Sequence, residues 1–344
     1  MDHNRWFEID LIKAVCILGV IYIHALSRVM ITTDPIGLFL GDWTRFAVPG
    51  FIFAAGFLFK KGEVDTADLA WRLLARIIPP YLVCSLVFIF LGVAERGVSA
   101  SRGEGAKIAT DLLFGNAIGI YYFVFVISYL YAFSFLLRLC SSGMVLGLWF
   151  LSAALTVWFY LNPLNFIPAI LKQILPKEYY ELYFILLRHP CVHLLFYLSG
   201  WAVNLYYDRI RPALSRNFIP LVAAAVAADI IALYVIHRSR AHFSLWQLTI
   251  QVHIALTLLC VMAVGIKGRF RVFFVDYLSR NTYAIFLLHF PFVRMIQNLF
   301  PEITVRFSLF HSSFAWLGGL FGSVVVITIA KLVFRKYSPY IVGA

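Results

Sequence analysis

The chain has 344 residues, of which 62% are hydrophobic and only 13% charged, and its mean hydropathy is +0.86. A soluble domain carries about 25% charged residues, so this composition excludes a soluble protein and leaves no polar stretch long enough for a separate soluble domain. The net charge of +12 would suit nucleic acid in a soluble protein; here the basic residues sit in short loops between apolar runs, as positive-inside orientation produces, so no nucleic-acid partner is expected and the remainder suits anionic lipid heads or a phosphate-bearing substrate.

The first apolar stretch, RWFEIDLIKAVCILGVIYIHALS (5–27), is aliphatic from Leu11 onward except for Lys13 and His24, with Asp10 just before it. At about 100° per residue, Lys13 and His24 point the same way some 16 Å apart, and Asp10 lies one turn before Lys13 on roughly that face. The stripe therefore carries an ion pair near its start and an imidazole further on. Ionisable groups inside a membrane span are costly and are functional candidates by default. The alternative is a snorkelling Lys13 and a His24 that marks the end of a span. The stretch is too long, and lacks a small-residue cleavage site, for a removed signal peptide; it is expected to stay as an anchor.

Runs of about 20 apolar residues are the unit to count. They fall near 8–27, 44–60, 77–95, 115–137, 144–162, 190–207, 217–236, 247–266, 279–298 and 313–334, which predicts an all-α integral membrane bundle of about ten transmembrane helices and one domain, 1–344. Basic residues favour the loops that share a side with the N-terminus, including Arg209, Arg211, Arg216, Lys267, Arg269 and Arg271, so both termini are expected in the cytoplasm. The five cysteines lie in or beside apolar segments with no metal-ligand spacing, and read as packing residues. No metal is expected.

Three further clusters carry chemistry. Lys60-Lys61 precede VDTADLAWRLLARIIPPY, where Asp65 or Thr66 can cap a short helix that Pro79-Pro80 limits. Arg72 and Arg76, at i,i+4, share a face and present two guanidinium forks suited to phosphates; ordinary positive-inside residues beside lipid heads are the competing reading. In YLSRNTYAIFLLHFPFV (277–293), His289 lies mid-span, Pro291 opens the helix just beyond it, and Asn281 and Thr282 are placed to cap the start. Either hydrogen bonding or reaction suits such a histidine. Asp229 and His253, on the seventh and eighth spans, fall at similar depth if those helices are antiparallel neighbours, and pairing lowers the desolvation cost of both. His189 and His193 are placed to line an outer vestibule.

Together these residues resemble the acyltransferase 3 family of polytopic bacterial membrane acyltransferases. Asp10, Lys13 and His24 sit at the spacing of the family's acidic residue, arginine and, after ten intervening residues, histidine. PGFIFAAGFLF (49–59) is similar to its second span, IYYFVFVISYLY (120–131) to its aromatic stretch, and YLSRNTYAIFLLHFP (277–291) to its final YLLHxP-type span. The matches run in order from residue 5 to about 295. Lys13 stands where the family has arginine, keeping the charge without the bidentate fork, and Ala55 stands where it has serine. The chain resembles the stand-alone form, without an appended extracytoplasmic domain.

The resemblance implies transfer of an acyl group, by default acetyl, from cytoplasmic acyl-CoA to a hydroxyl of an extracytoplasmic or lipid-linked glycan of the cell envelope, by a multi-pass protein of the bacterial inner membrane. Arg72 and Arg76, helped by Lys60 or Lys61, would hold the CoA phosphates. His24, expected neutral in its desolvated setting, would act as general base or take the acyl group itself, with Asp10 and Lys13 orienting the first helix. A transporter or flippase for a small anion or lipid-linked sugar is the competing class, with Asp229, His253 and His289 as a proton relay; it would favour inverted repeats, and the sequence has none.

Overall fold

The computed structural model describes residues 6–26, 35–59, 71–96, 112, 120–161, 190–238, 243–268, 272–300 and 308–344. Among them the regular structure is entirely helical, and a helix stands at each of the ten predicted apolar runs. In chain order the elements are α1 (Phe7–Ala25), α2 (Pro35–Trp43) with a 3₁₀ turn at Thr44–Phe46, α3 (Ala47–Phe57), and a π-helical turn (Arg72–Ile77) leading into α4 (Ile78–Arg96). There follow α5 (Tyr122–Leu137), α6 (Ser142–Leu161), α7 (Pro190–Leu205), α8 (Tyr207–Arg216), α9 (Phe218–Arg238), α10 (Phe243–Lys267), α11 (Phe273–Leu299), α12 (Ser308–Phe334) and a terminal turn, α13 (Ser338–Ile341). The chain forms two compact units, Met1–Leu58 with Ser199–Ile329, and Phe59–Leu198 with Ala330–Ala344.

The first unit is built around α1. Ile9, Ile12, Cys16, Ile17, Val20 and Ile21 are buried along one broad face of that helix, about half of its circumference. It packs on α3, α10 and, most extensively, α11. Small residues permit the approach: a Cβ at Gly50 of α3 would run into Cys16 Sγ and lie 2.9 Å from Leu258 Cδ2 of α10. At the start of α1, the buried Glu8 carboxylate accepts a hydrogen bond from the Tyr207 phenol, and the Tyr207 ring meets Trp6 (4.6 Å) and Phe57 (5.7 Å) edge to face. Tyr207 opens α8, whose buried Tyr207 and Leu214 oppose exposed Arg209, Arg211 and Arg216. The chain then bends by 80° into α9.

In the second unit the C-terminal α13 and the π-helical turn both pack against α4, and α5 packs on that turn. Tyr81 stacks edge to face on Tyr121 at 5.7 Å and donates to Leu112 O at 2.6 Å. Ser134 Oγ and the Tyr197 hydroxyl share a buried 2.6 Å hydrogen bond, and the Tyr129 hydroxyl meets His193 Nδ1 at 3.0 Å. His193 is thus half-buried against a phenol, whereas His189 lies outside the described residues.

Three local expectations are corrected. Pro79 and Pro80 do not limit the helix; they occupy the first turn of α4, where a missing N–H costs least. Pro291 does not open α11, which runs on to Leu299. Asn281 and Thr282 are not caps: α11 begins at Phe273, and their side chains donate back to Tyr277 O and Leu278 O within the helix. Asp65 and Thr66 lie outside the described residues. Two described helices, Gln247–Lys267 and Leu309–Ile341, are individually long and apolar enough to cross a membrane, and the bent pair α8–α9 makes a third if it is one span. Others fall short singly because they are brief, as are the 16-residue α5 and α7, or carry charges, as α1 does with Glu8, Asp10 and Lys13.

The closest helix approaches set a stability test. A Cβ at Gly319 of α12 would lie 2.6 Å from Val293 Cγ2 and 2.9 Å from Ile21 Cγ2, whereas one at Gly147 of α6 meets nothing within 4 Å. Gly319→Leu should destabilise the detergent-solubilised protein by about 1–3 kcal/mol, read as a lower thermal midpoint by tryptophan fluorescence. Gly147→Ala should leave that midpoint unchanged or raised.

Candidate active site

The α1–α11 interface assembles the polar groups of both helices in two places. Near the start of α1, Lys13 Nζ lies 3.5 Å from Asp10 Oδ1, and that same oxygen accepts from Ser279 Oγ of α11. Asp10 is buried, so the lysine and the serine hydroxyl together offset the cost of removing its charge from water. Further along, His24 of α1 meets His289 of α11 with ring centroids 5.5 Å apart and planes tilted by 35°. Asp10 pairs with Ser279 and His24 with His289, so the two helices run parallel.

The imidazole pair is held from both helices. Gln297 Nε2 donates to His24 O (3.3 Å) and Ala25 O (3.1 Å), satisfying carbonyls that the end of a helix leaves without partners. His289 Nδ1 lies 2.8 Å from Phe286 O and 3.1 Å from Ile285 O. Carbonyls only accept, so Nδ1 carries the hydrogen and the neutral ring keeps its lone pair on Nε2. His24 is half-buried and its ring edge meets Phe290 at 5.7 Å; Arg294 lies over that phenylalanine, 5.3 Å from its centroid, and acts electrostatically on His24. The pair combines an apolar wall, a partly accessible imidazole, a second imidazole of fixed tautomer and a nearby fixed positive charge. Such a set can accept a proton from a hydroxyl and can stabilise negative charge beside it.

The remaining sequence-predicted residues are distributed. Lys13 and Asp10 lie on the His24 stripe but about 16–21 Å before it along the axis, where Asp10 meets Ser279 and Lys13, away from the imidazoles. Asp229 of α9 pairs with His253 Nδ1 of α10, as the antiparallel expectation requires, and Thr257 Oγ1 lies 3.3 Å from the same nitrogen. His253 Nε2 faces Trp43 O at 3.2 Å and must donate there. The pair thereby ties α9 and α10 to the end of α2. Arg72 and Arg76 fall in the π-helical turn of the second unit, with Arg76 exposed; Lys60 and Lys61 lie outside the described residues. Sequence reasoning missed Ser279, Gln297 and the meeting of His24 with His289. The available signal was only that Ser279, His289 and Gln297 are polar residues within one long apolar-rich helix.

A cavity of about 390 Å³ opens on another face of α1, lined by Val15, Leu18, Tyr22, Trp43 and Trp316 among others. These α1 residues lie nearly opposite the Lys13–His24 stripe. Its edge groups are internally satisfied: Trp316 Nε1 donates to Leu18 O at 3.0 Å and Thr44 Oγ1 to Leu40 O at 2.9 Å. It is an apolar space distinct from the imidazole pair.

A family model described as an acyltransferase domain, that of the acyltransferase 3 family, matches residues 6–334 and so takes in every group just described. No curated protein and no solved structure gives a match.

The Asp229–His253 pair should behave as one structural unit. Asp229→Asn or His253→Ala alone should lower the thermal midpoint by the equivalent of about 3 kcal/mol. In a double-mutant cycle, the two changes together should cost less than their sum by at least about 1 kcal/mol.

Proposed function

We propose, on the premise that the chain belongs to the acyltransferase 3 family over residues 6–334, that it moves an acyl group, acetyl by default, from cytoplasmic acyl-CoA to a hydroxyl of an extracytoplasmic or lipid-linked glycan. Membership carries the general activity, acyl transfer by a membrane protein. The donor, the acceptor, the bacterial inner membrane as location, the single domain 1–344 with about ten spans, and both termini in the cytoplasm belong to the proposal. The observation that carries it is the His24–His289 pair, a proton-accepting site on the family's motif helix.

In this reading the acceptor hydroxyl donates to a ring nitrogen of His24, which takes the proton as the oxygen attacks the thioester carbonyl. The C–S bond breaks, CoA leaves as thiolate, and the proton passes from the His24 imidazolium to the sulfur. Arg294 supports the step as a fixed positive charge beside the developing oxyanion. Arg72 and Arg76, with Lys60 and Lys61, hold the CoA phosphates by charge-assisted, fork-shaped hydrogen bonds. Asp10 and Lys13 fix the start of the helix that carries His24.

Purified protein in nanodiscs with radiolabelled acetyl-CoA tests both assignments. His24→Ala should lower CoA release and acceptor labelling by about 100-fold or more with acetyl-CoA binding retained. The double variant Arg72→Ala/Arg76→Ala should weaken acetyl-CoA binding by about tenfold or more. Wild-type protein that neither binds acyl-CoA nor turns it over across several chain lengths would overturn the reading.

A further inference from the structure

His289 holds an atom that the step above does not use. Its ring is fully buried, Nδ1–H is committed to the carbonyls of Phe286 and Ile285, and Nε2 has no hydrogen-bond partner among the described residues. A buried acceptor left without a donor is costly and calls for an explanation. Nε2 is sealed from solvent, so among the described residues a donor is sought on an adjoining side chain. Two aromatic rings within reach, His24 and Phe286, adjoin His289; of these His24 alone carries an N–H. His24 is half-buried beside it. At a centroid separation of 5.5 Å, two imidazoles whose nitrogens face each other lie about 3 Å apart, N to N, which is hydrogen-bond range.

We infer that His289 is a positioning residue for His24: its Nε2 accepts the N–H of one His24 ring nitrogen and so leaves the lone pair of the other facing the acceptor hydroxyl. The inference rests on the reading of His24 as the base. A base oriented by a third group is the general logic of activated hydroxyls, here with an imidazole in the place usually taken by a carboxylate. The backbone carbonyls at Nδ1 do two things. They fix the His289 tautomer, and they increase the acceptor strength of Nε2 through polarisation of the ring. When His24 takes the hydroxyl proton it becomes an imidazolium whose second N–H stays on His289, so the new charge is met by an acceptor already in place. No proton leaves His24 by this route; it returns to the departing thiolate.

The test reads tautomer and turnover separately. Protein labelled with ¹⁵N-histidine in nanodiscs should show His24 as one tautomer in wild type and as a mixture in His289→Phe. In acetyl-CoA turnover, His289→Phe should lower kcat by about 100-fold with KM for acetyl-CoA changed by less than about twofold. His289→Gln, whose amide oxygen reaches the place of Nε2, should recover about tenfold of that loss. A tautomer mixture at His24 in wild type, an unaltered His24 in a folded His289→Phe, or a Gln variant no better than Phe overturns the inference. Should wild type release no CoA, the acyltransferase reading fails while the tautomer spectra of wild type and the Gln variant still decide whether His289 positions His24.

Discussion

The structure of the first unit depends on one constraint: α1 buries Glu8 and Asp10 among Ile-rich sequence, so these polar groups must find partners on neighbouring helices rather than in water. Each solution fixes a neighbour. Glu8 takes the Tyr207 phenol and with it the start of α8; Asp10 takes Ser279 and the early turns of α11; the last carbonyls take Gln297 near its end. Two polar ties and one ring contact at different heights leave α11 no freedom to slide along α1, and they impose a parallel register. His289 arrives beside His24 as a consequence of that register.

This arrangement separates roles along a single helix. The Asp10–Lys13 pair lies at one end and the imidazoles at the other, joined by a rigid rod about 16–21 Å long. Charged groups with a mutual partner stabilise the interface at the first end, and His24 keeps partial exposure at the second. The Asp229–His253 pair is a second instance of the structural kind. Its three contacts reach α9, α10 and the Trp43 carbonyl, which makes a latch between elements out of residues that in sequence look equally suited to a proton relay.

The apolar cavity on the opposing face of α1 is consistent with the same economy. Its tryptophan and threonine donors bond to backbone carbonyls of the protein itself, so the space offers apolar contact and little else. α1 thus presents a polar stripe to α11 and an apolar one to α2 and α12, a division that follows from placing Lys13 and His24 eleven residues apart on a helix that is largely aliphatic from Leu11 onward.

Composition and apolar run length by themselves pointed to a helical, membrane-embedded chain, and a helix stands at each of the ten apolar runs with ends that differ by as much as seven residues, because hydrocarbon requires every backbone group to be satisfied inside a helix. The spacing of Asp10, Lys13 and His24 placed them on one stripe of α1, and depth along α9 and α10 was enough to match Asp229 with His253. Tertiary structure alone decided which polar residues converge. Ser279 and Gln297 look like ordinary polar residues until α11 is laid parallel to α1, and a proline at 291 or a pair at 79–80 reads as a helix breaker until neighbouring packing and first-turn placement are known. The reason is physical: periodicity reports which side of a helix a residue is on, but not which helix faces that side, and the pairing of two imidazoles 265 positions apart in sequence is set by packing and buried hydrogen bonds that no local pattern encodes.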